Sequence, residues 1–306
     1  MRRKEEPAQA LLTMTPTAQT SLRNDGFLSA LYEPSANAYP GKALILAGGS
    51  DGYFSLTKLI AEQYAGRGLT VLALAYWNQE GLPMALSRIP LEYAELAALW
   101  LRGRGYEKIA MAGISMGAEY ALLCSAYFPE LLSCCVAISP ISISTQGIQK
   151  KTAHHRKMNL LEGPVFTYRE QDLPYGKLTF HKKTILLESL KAKEPCMLSC
   201  YRDAVENPQR DAEIPVENIS GSLLLLAADR DSRWPSAESA ERIVRRRAQY
   251  GLDADYCHYA YASHLLVPWK LKSRKMFRME RNFPEKCWKS NVDAFQKTLL
   301  FLRNSW

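Results

Sequence analysis

The stretch from Lys108 to Cys124, Lys-Ile-Ala-Met-Ala-Gly-Ile-Ser-Met-Gly-Ala-Glu-Tyr-Ala-Leu-Leu-Cys, constrains the fold of this chain more than any other. It reads as a short buried strand, a turn over Gly113-Ile-Ser-Met-Gly117, and a helix. A serine at the tip of so tight a strand-to-helix reversal sits in a strained backbone conformation. The residues two before and two after it must be small, or their side chains collide as the chain turns back. Gly113 and Gly117 occupy those places. The helix that follows aims its free N–H groups at the same point, which favours a developing negative charge. A nucleophile elbow of this kind needs a parallel sheet on one side and a helical layer on the other.

The surrounding chain supplies both. Ala43-Leu-Ile-Leu-Ala47, Thr70-Val-Leu-Ala-Leu-Ala75, Ser133-Cys-Cys-Val-Ala-Ile138 and Ser222-Leu-Leu-Leu-Leu-Ala227 are continuous apolar runs, the mark of strands buried on both faces. Helices are predicted over residues 55–66, from Pro90 to about Arg102, after the elbow, and over 290–303. Another carries Ala240, Ile243, Val244 and Ala248 on one face. Tyr256-Cys-His-Tyr-Ala260 reads as the last strand. Strands alternating with helices predict an α/β fold with a mostly parallel sheet wrapped on both faces. Residues 1–20 read as a polar tail. Ser21 to Tyr32 reads as a hairpin turning at Asn24-Asp25-Gly26. Between Ser139 and Gly221 the alternation breaks, with one plausible helix near 183–193. A structureless loop of that length is suspect, so a cap inserted into a domain spanning 21–306 is expected.

Composition narrows the function classes. No run approaches eighteen apolar residues, so no membrane insertion is expected. The basic N-terminus lacks the apolar core of a signal peptide. An odd count of seven cysteines then suggests reduced thiols and a cytoplasmic location. Cys196-x-x-x-Cys200 has no second ligand pair nearby, so no metal is expected. Gly48-Gly49-x-x-Gly52 does not fit G-x-G-x-x-G, and no P-loop lysine is present, so no cofactor is expected. The net charge of +8 is uneven: residues 270–290 hold eight Lys/Arg against two acids, and residues 150–210 hold twelve against seven. Such surfaces suit nucleic acid, a membrane or a phosphorylated small molecule, or are simply solvated, and no nucleic-acid motif accompanies them.

A serine hydroxyl needs a base within hydrogen-bond reach, and the base needs an acid to orient it. In elbow-bearing folds the chain order is Ser, then Asp or Glu, then His. Here the order is Ser115, Asp231 or Asp229, and His264. Each lies just beyond the C-terminal end of a predicted strand, where open α/β sheets place their sites. Asp231 stands three residues before Trp234-Pro235, which opens a helix, and this spacing favours it. Asp229 is nearer the strand and suits a turn cap or a pair with Arg230. His258 falls inside the last strand and reads as a packed core histidine. His154, His155 and His181 read as exposed. The oxyanion hole should use the backbone N–H of Met116 and a second from Gly49 or Ser50.

Beyond the elbow, the segments Leu72–Asn78, Leu82-Pro83, Ile89–Tyr93, Gly113–Ala118, Ile214–Asn218, Asp231–Ser236 and Tyr261–His264 resemble one family. It is the C-terminal catalytic domain of the acyl-CoA thioesterase / bile acid-CoA:amino acid N-acyltransferase family, within the α/β-hydrolase superfamily. The resemblance covers most of residues 40–306. It implies an α/β-hydrolase fold, Ser115 as nucleophile, Asp231 as acid, His264 as base, and activity on acyl-CoA thioesters. It also implies that the family's N-terminal β-sandwich domain is missing from this sequence. Two positions depart from the family's pattern. Ser263 stands where glycine is usual before the histidine, and Tyr53 where glycine commonly follows Gly52. Both are expected to crowd the mouth of the site.

Serine and not cysteine at 115 bears on the expected reaction. A cysteine acyl-enzyme is a thioester that amines attack readily. A serine acyl-enzyme is an oxyester, for which hydrolysis is the expected fate. The expected activity is therefore a serine hydrolase cleaving acyl-CoA or a related thioester, with the basic segments receiving the CoA phosphates. The alternatives are a carboxylesterase or dienelactone-hydrolase-like enzyme on small oxyesters, an acyl-CoA:amino acid N-acyltransferase, and an inactive binding protein. The intact Ser-Asp-His order argues against the last.

Overall fold

The computed structural model describes residues 11–149, 158–209, 211–269 and 272–306. The elements run β1 (Ala18–Thr20), α1 (Leu22–Asp25), β2 (Leu28–Tyr32), β3 (Lys42–Ala47), α2 (Phe54–Ala65), β4 (Thr70–Ala75), β5 (Ile89–Pro90), α3 (Glu92–Arg102), β6 (Lys108–Ile114), α4 (Met116–Tyr127) and β7 (Cys134–Ile138). The next segment holds β8 (Gln146–Gln149), β9 (Asn159–Pro164), β10 (Phe166–Tyr168), β11 (Gln171–Asp172), α5 (Lys182–Ala192) and α6 (Leu198–Glu206). The chain closes with β12 (Ser222–Ala228), α7 (Ser236–Gln249), β13 (Asp255–Tyr259), α8 (Arg278–Asn282) and α9 (Pro284–Asn304).

Eight strands form the central sheet in the order β1-β2-β4-β3-β6-β7-β12-β13. Pairings from β4 through β13 are parallel, whereas β2 runs antiparallel to both β1 and β4. This is the α/β-hydrolase fold. The apolar runs are continuous because each strand is covered twice. On β3, Ala43, Ile45 and Ala47 join the core that also holds Ala97 of α3 and Leu122 of α4, while Leu44 and Leu46 join the core with Ile60 of α2 and Phe301 of α9. α4 lies so deep that Met116 through Ala126 are all buried, which is why its sequence is apolar on every side.

Three readings change at the edges of the fold. The antiparallel pair near the N-terminus exists, but its first arm is Ala18–Thr20 and not the residues after Ser21. Ser21 instead caps α1, its Oγ accepting from the Asn24 N–H at 3.3 Å, and Gly26 closes that turn at φ 78°. Part of the expected tail is therefore built in: Leu12 also exchanges backbone hydrogen bonds with the Gln63 side chain of α2. Residues 1–10 lie outside the described residues, as do His154 and His155. The closing helix starts six positions earlier than its apolar periodicity indicates, with Pro284 in its first turn.

Candidate active site

β6 delivers Ser115 at φ 59° and ψ −123°, a left-handed conformation that an L-residue adopts only under constraint. The constraint is visible on both sides. Ser115 N–H donates to the Ile138 carbonyl of β7 at 2.9 Å, and its own carbonyl accepts from Ala118 N–H at 2.7 Å to start α4. A Cβ at Gly113 would run into the Gly117 carbonyl, and one at Gly117 into the carbonyls of Ala47 and Gly48. The two glycines thus do different work: the first lets the elbow close, and the second lets it seat against the loop after β3.

That loop brings Gly49 beside the serine, since a Cβ there would stand 3.6 Å from Ser115 Cβ. The following strand's end braces it. Tyr76 Oη donates to the Gly48 carbonyl at 2.7 Å, and Trp77 Nε1 to the Gly49 carbonyl at 3.4 Å. In a trans peptide the N–H points opposite to the carbonyl, so holding these two carbonyls also orients the N–H groups of Gly49 and Ser50. Asn78 and Gln79 hold the Gly52 carbonyl in the same manner. Met116 opens α4, where the first N–H groups have no partner within the helix.

The loop after β12 and the loop after β13 bring Asp231 and His264 together. His264 Nδ1 lies 2.7 Å from Asp231 Oδ2, both side chains are buried, and the Arg233 N–H occupies Asp231 Oδ1 at 2.8 Å. With Nδ1 bound to the carboxylate, the Nε2 side of the ring is the one left for chemistry. Trp234 packs edge-on against the imidazole, with ring centroids 5.7 Å apart. Ser139 joins the two loops: its Oγ donates to the His264 carbonyl at 2.7 Å, and its carbonyl accepts from Trp234 Nε1 at 3.0 Å. Nothing in the sequence marks Ser139, because its partners lie about a hundred residues away.

Ser115, His264, Met116, Gly49 and Ser50 line one cavity of about 400 Å³. The rest of its wall is mainly apolar, including Leu56, Ile148, Met158, Met197, Val267 and Phe277, with Asp51 and Arg233 the other charged residues. Met158 and Met197 come from the irregular segment between β7 and β12, so that segment helps to roof the serine.

Several sequence readings are corrected here. Asp229 neither caps a turn with its side chain nor pairs with Arg230; its Oδ1 lies 3.1 Å from His258 Nδ1. His258 is not a core residue, because β13 is the outermost strand and leaves the imidazole two-thirds exposed. His181 is exposed, as expected. Tyr53 does stand at the cavity wall, but Ser263 does not crowd it. Its hydroxyl is buried and donates to Glu280 Oε1 at 3.0 Å, and Glu280 in turn pairs with buried Arg274 and accepts from Asn291. Arg274 is therefore spent inside the protein and is no receiver for phosphate. A second buried carboxyl, Glu119 of α4, accepts from Thr145 N–H and Oγ at 2.8 Å each. Burial pushes it up to about 8, and the Thr145 bonds only partly oppose that. Among the described residues no three His, Cys, Asp or Glu side chains gather as they would around a metal ion, and no helix is long and apolar enough to cross a membrane.

The family model described as BAAT / Acyl-CoA thioester hydrolase C terminal matches residues 89–304, from β5 to the end of α9. The chain belongs to this family. Over 241 residues, 77% of this chain, it is 27% identical to acyl-coenzyme A thioesterase 1 of Rattus norvegicus and 26% identical to acyl-coenzyme A thioesterase 2, mitochondrial, of Mus musculus. Those matches take in 50% and 47% of the two relatives, so the chain spans about half the length of the curated relatives it matches. Among solved structures, a putative dienelactone hydrolase from Klebsiella pneumoniae subsp. pneumoniae MGH 78578 superposes with a TM-score of 0.56 at 14% identity, covering 94% of this chain and 98% of that one. The Pyrobaculum calidifontis esterase superposes at 0.54 and 15% identity, covering 94% and 84%. At such identities these neighbours speak for the fold alone.

Proposed function

We propose that this chain is a serine hydrolase that cleaves acyl-CoA or related thioesters through Ser115, His264 and Asp231. The observation that carries the reading is that buried Asp231 holds His264, which lines the same cavity as the strained Ser115. In the proposed reaction, His264 Nε2 takes the proton of Ser115 Oγ as that oxygen attacks the thioester carbonyl carbon. The carbonyl oxygen, now negative, is received by the N–H of Met116 and that of Gly49 or Ser50. The C–S bond breaks, and the imidazolium gives its proton to the departing thiolate. Water, deprotonated by the same imidazole, then attacks the acyl carbon; the bond to Ser115 Oγ breaks, the imidazolium returns its proton to that oxygen, and the acid is freed. Asp231 keeps Nδ1–H in place and stabilises the imidazolium.

The mainly apolar cavity wall suits an acyl chain, and the serine oxyester suits hydrolysis over transfer to an amine. In this reading residues 139–221 form a cap on the hydrolase domain, whose sheet takes in β1 ahead of residue 21, and Met158 and Met197 of the cap roof the cavity. Seven free thiols suit a reducing compartment such as the cytoplasm. The test is a chain-length series of CoA thioesters set against p-nitrophenyl esters, with Ser115→Ala as the control. Turnover of thioesters that vanishes in the variant is expected. Efficient ester turnover with every CoA thioester inert would replace the thioester reading with a carboxylesterase.

A further inference from the structure

α5 is an unusual helix for a protein with two large cores. It spans eleven residues, Lys182–Ala192, and not one of them is buried. Leu186, Leu187 and Leu190 are 59%, 67% and 64% exposed, yet their spacing of three and four places them on one helical face. Solvent exposure of three adjacent leucines forfeits the hydrophobic gain that normally holds a helix down. The inner face carries Ile185, packed against the main core, beside two polar side chains. Glu188 accepts from Ser199 Oγ at 2.8 Å, and Ser189 Oγ accepts from Cys196 N–H at 3.0 Å. The helix is thus held by Ile185 and these hydrogen bonds, with its three leucines turned outward.

The exposed charges of α5 and its C-cap are of one sign, and Glu194 beyond them accepts from the Arg278 N–H. Lys182 and Lys183 open the helix, Lys191 and Lys193 close it, and all four are exposed. The acid within that span, Glu188, points inward to Ser199. Arg281 extends the surface: its guanidinium donates to the Lys193 carbonyl and to the carbonyls of Lys275 and Met276. Exposed Met276, which also lines the cavity, is thereby held next to the end of α5.

We propose that the outer face of α5 is a docking surface for an anionic lipid bilayer. The leucines would enter the headgroup boundary, and the flanking lysines would meet lipid phosphates while the helix lies in the plane of the surface. Apolar residues ringed by cations, with no acid on the same face, match that chemistry and poorly match a neutral protein groove. The arrangement is peripheral, since α5 is far too short to span. It would bring the Met276 side of the cavity close to the membrane surface, whatever bond the site cleaves.

The test is co-sedimentation of the whole chain with phosphatidylcholine vesicles and with vesicles of equal parts phosphatidylcholine and phosphatidylglycerol. Binding to the mixed vesicles, weak binding to the neutral ones, and loss of binding as sodium chloride is raised are expected. The combined variant Leu186→Ser, Leu187→Ser, Leu190→Ser should abolish sedimentation while leaving thermal unfolding unchanged. Should that variant fold poorly, Lys183→Gln and Lys191→Gln provide a milder check. Each should weaken partition about fivefold. Equal binding to both vesicle types, or binding indifferent to these substitutions, overturns the proposal. So does a self-association, seen by sedimentation equilibrium, that the triple serine variant removes, because a second copy would then cover the face.

Discussion

Two aspartate–histidine pairs stand within a few residues of each other, and only one is buried. Asp229 and His258 meet at 3.1 Å on the outer edge of the sheet, with the imidazole two-thirds exposed. Asp231 and His264 meet at 2.7 Å with both side chains almost wholly buried. The residue types and the chain order are the same. The difference lies in where the strand ends. Asp229 follows β12 directly and is tied to β13 through its N–H bond to the Tyr259 carbonyl. Two residues later the loop has turned inward beneath Trp234, where water is excluded and the carboxylate can hold one tautomer of the histidine. An exposed pair of this kind contributes little to anything.

The largest expected effect separates the pairs directly. On the proposed mechanism, Asp231→Asn lowers kcat by about 10⁴-fold, whereas Asp229→Asn changes it less than about twofold. Steady-state kinetics on one thioester decide this, and equal losses would break the distinction. Next comes the buried pair behind His264. Glu280→Ala strands the Arg274 guanidinium and the Ser263 hydroxyl, and should cost about 3 kcal/mol in urea unfolding. The double variant Arg274→Met, Glu280→Leu should cost less, because no charge is left alone.

Glu119 sharpens the comparison from the other side, as a buried carboxyl without a cation. In the folded protein it keeps its proton up to about pH 8, while in the unfolded chain it loses it near 4.5. Between those values the unfolded state holds fewer protons, so stability falls as pH rises. The contribution is whole below about 4.5 and gone above about 8. Relative to Glu119→Gln, the wild-type protein should lose about 1.4 kcal/mol per pH unit across that window. Urea midpoints taken at several pH values would refute this by running parallel for the two proteins. The smallest effect is reserved for the exposed pair: His258→Ala should shift stability by no more than about 0.5 kcal/mol, read from thermal unfolding.

The sheet and the elbow were legible in the amino-acid order because their causes are local. Strands covered on both faces must be continuously apolar, and a reversal at Ser115 must be flanked by residues without side chains. Those demands are written within five or six residues of where they act. The order Ser115, Asp231, His264 was legible for the same reason, each residue following a readable strand. What the tertiary structure decided depends on distant partners. Ser139 reaches the His264 loop across 125 residues, and Tyr76 and Trp77 brace a loop 28 residues upstream. Ser263 turns away from the cavity to a carboxylate 17 residues downstream. The outward face of α5 was hidden too, because its leucines look like any core helix until the fold leaves them uncovered. A hydrogen bond or a buried face between segments far apart has no signature in either segment alone, and only the packed chain brings the two halves together.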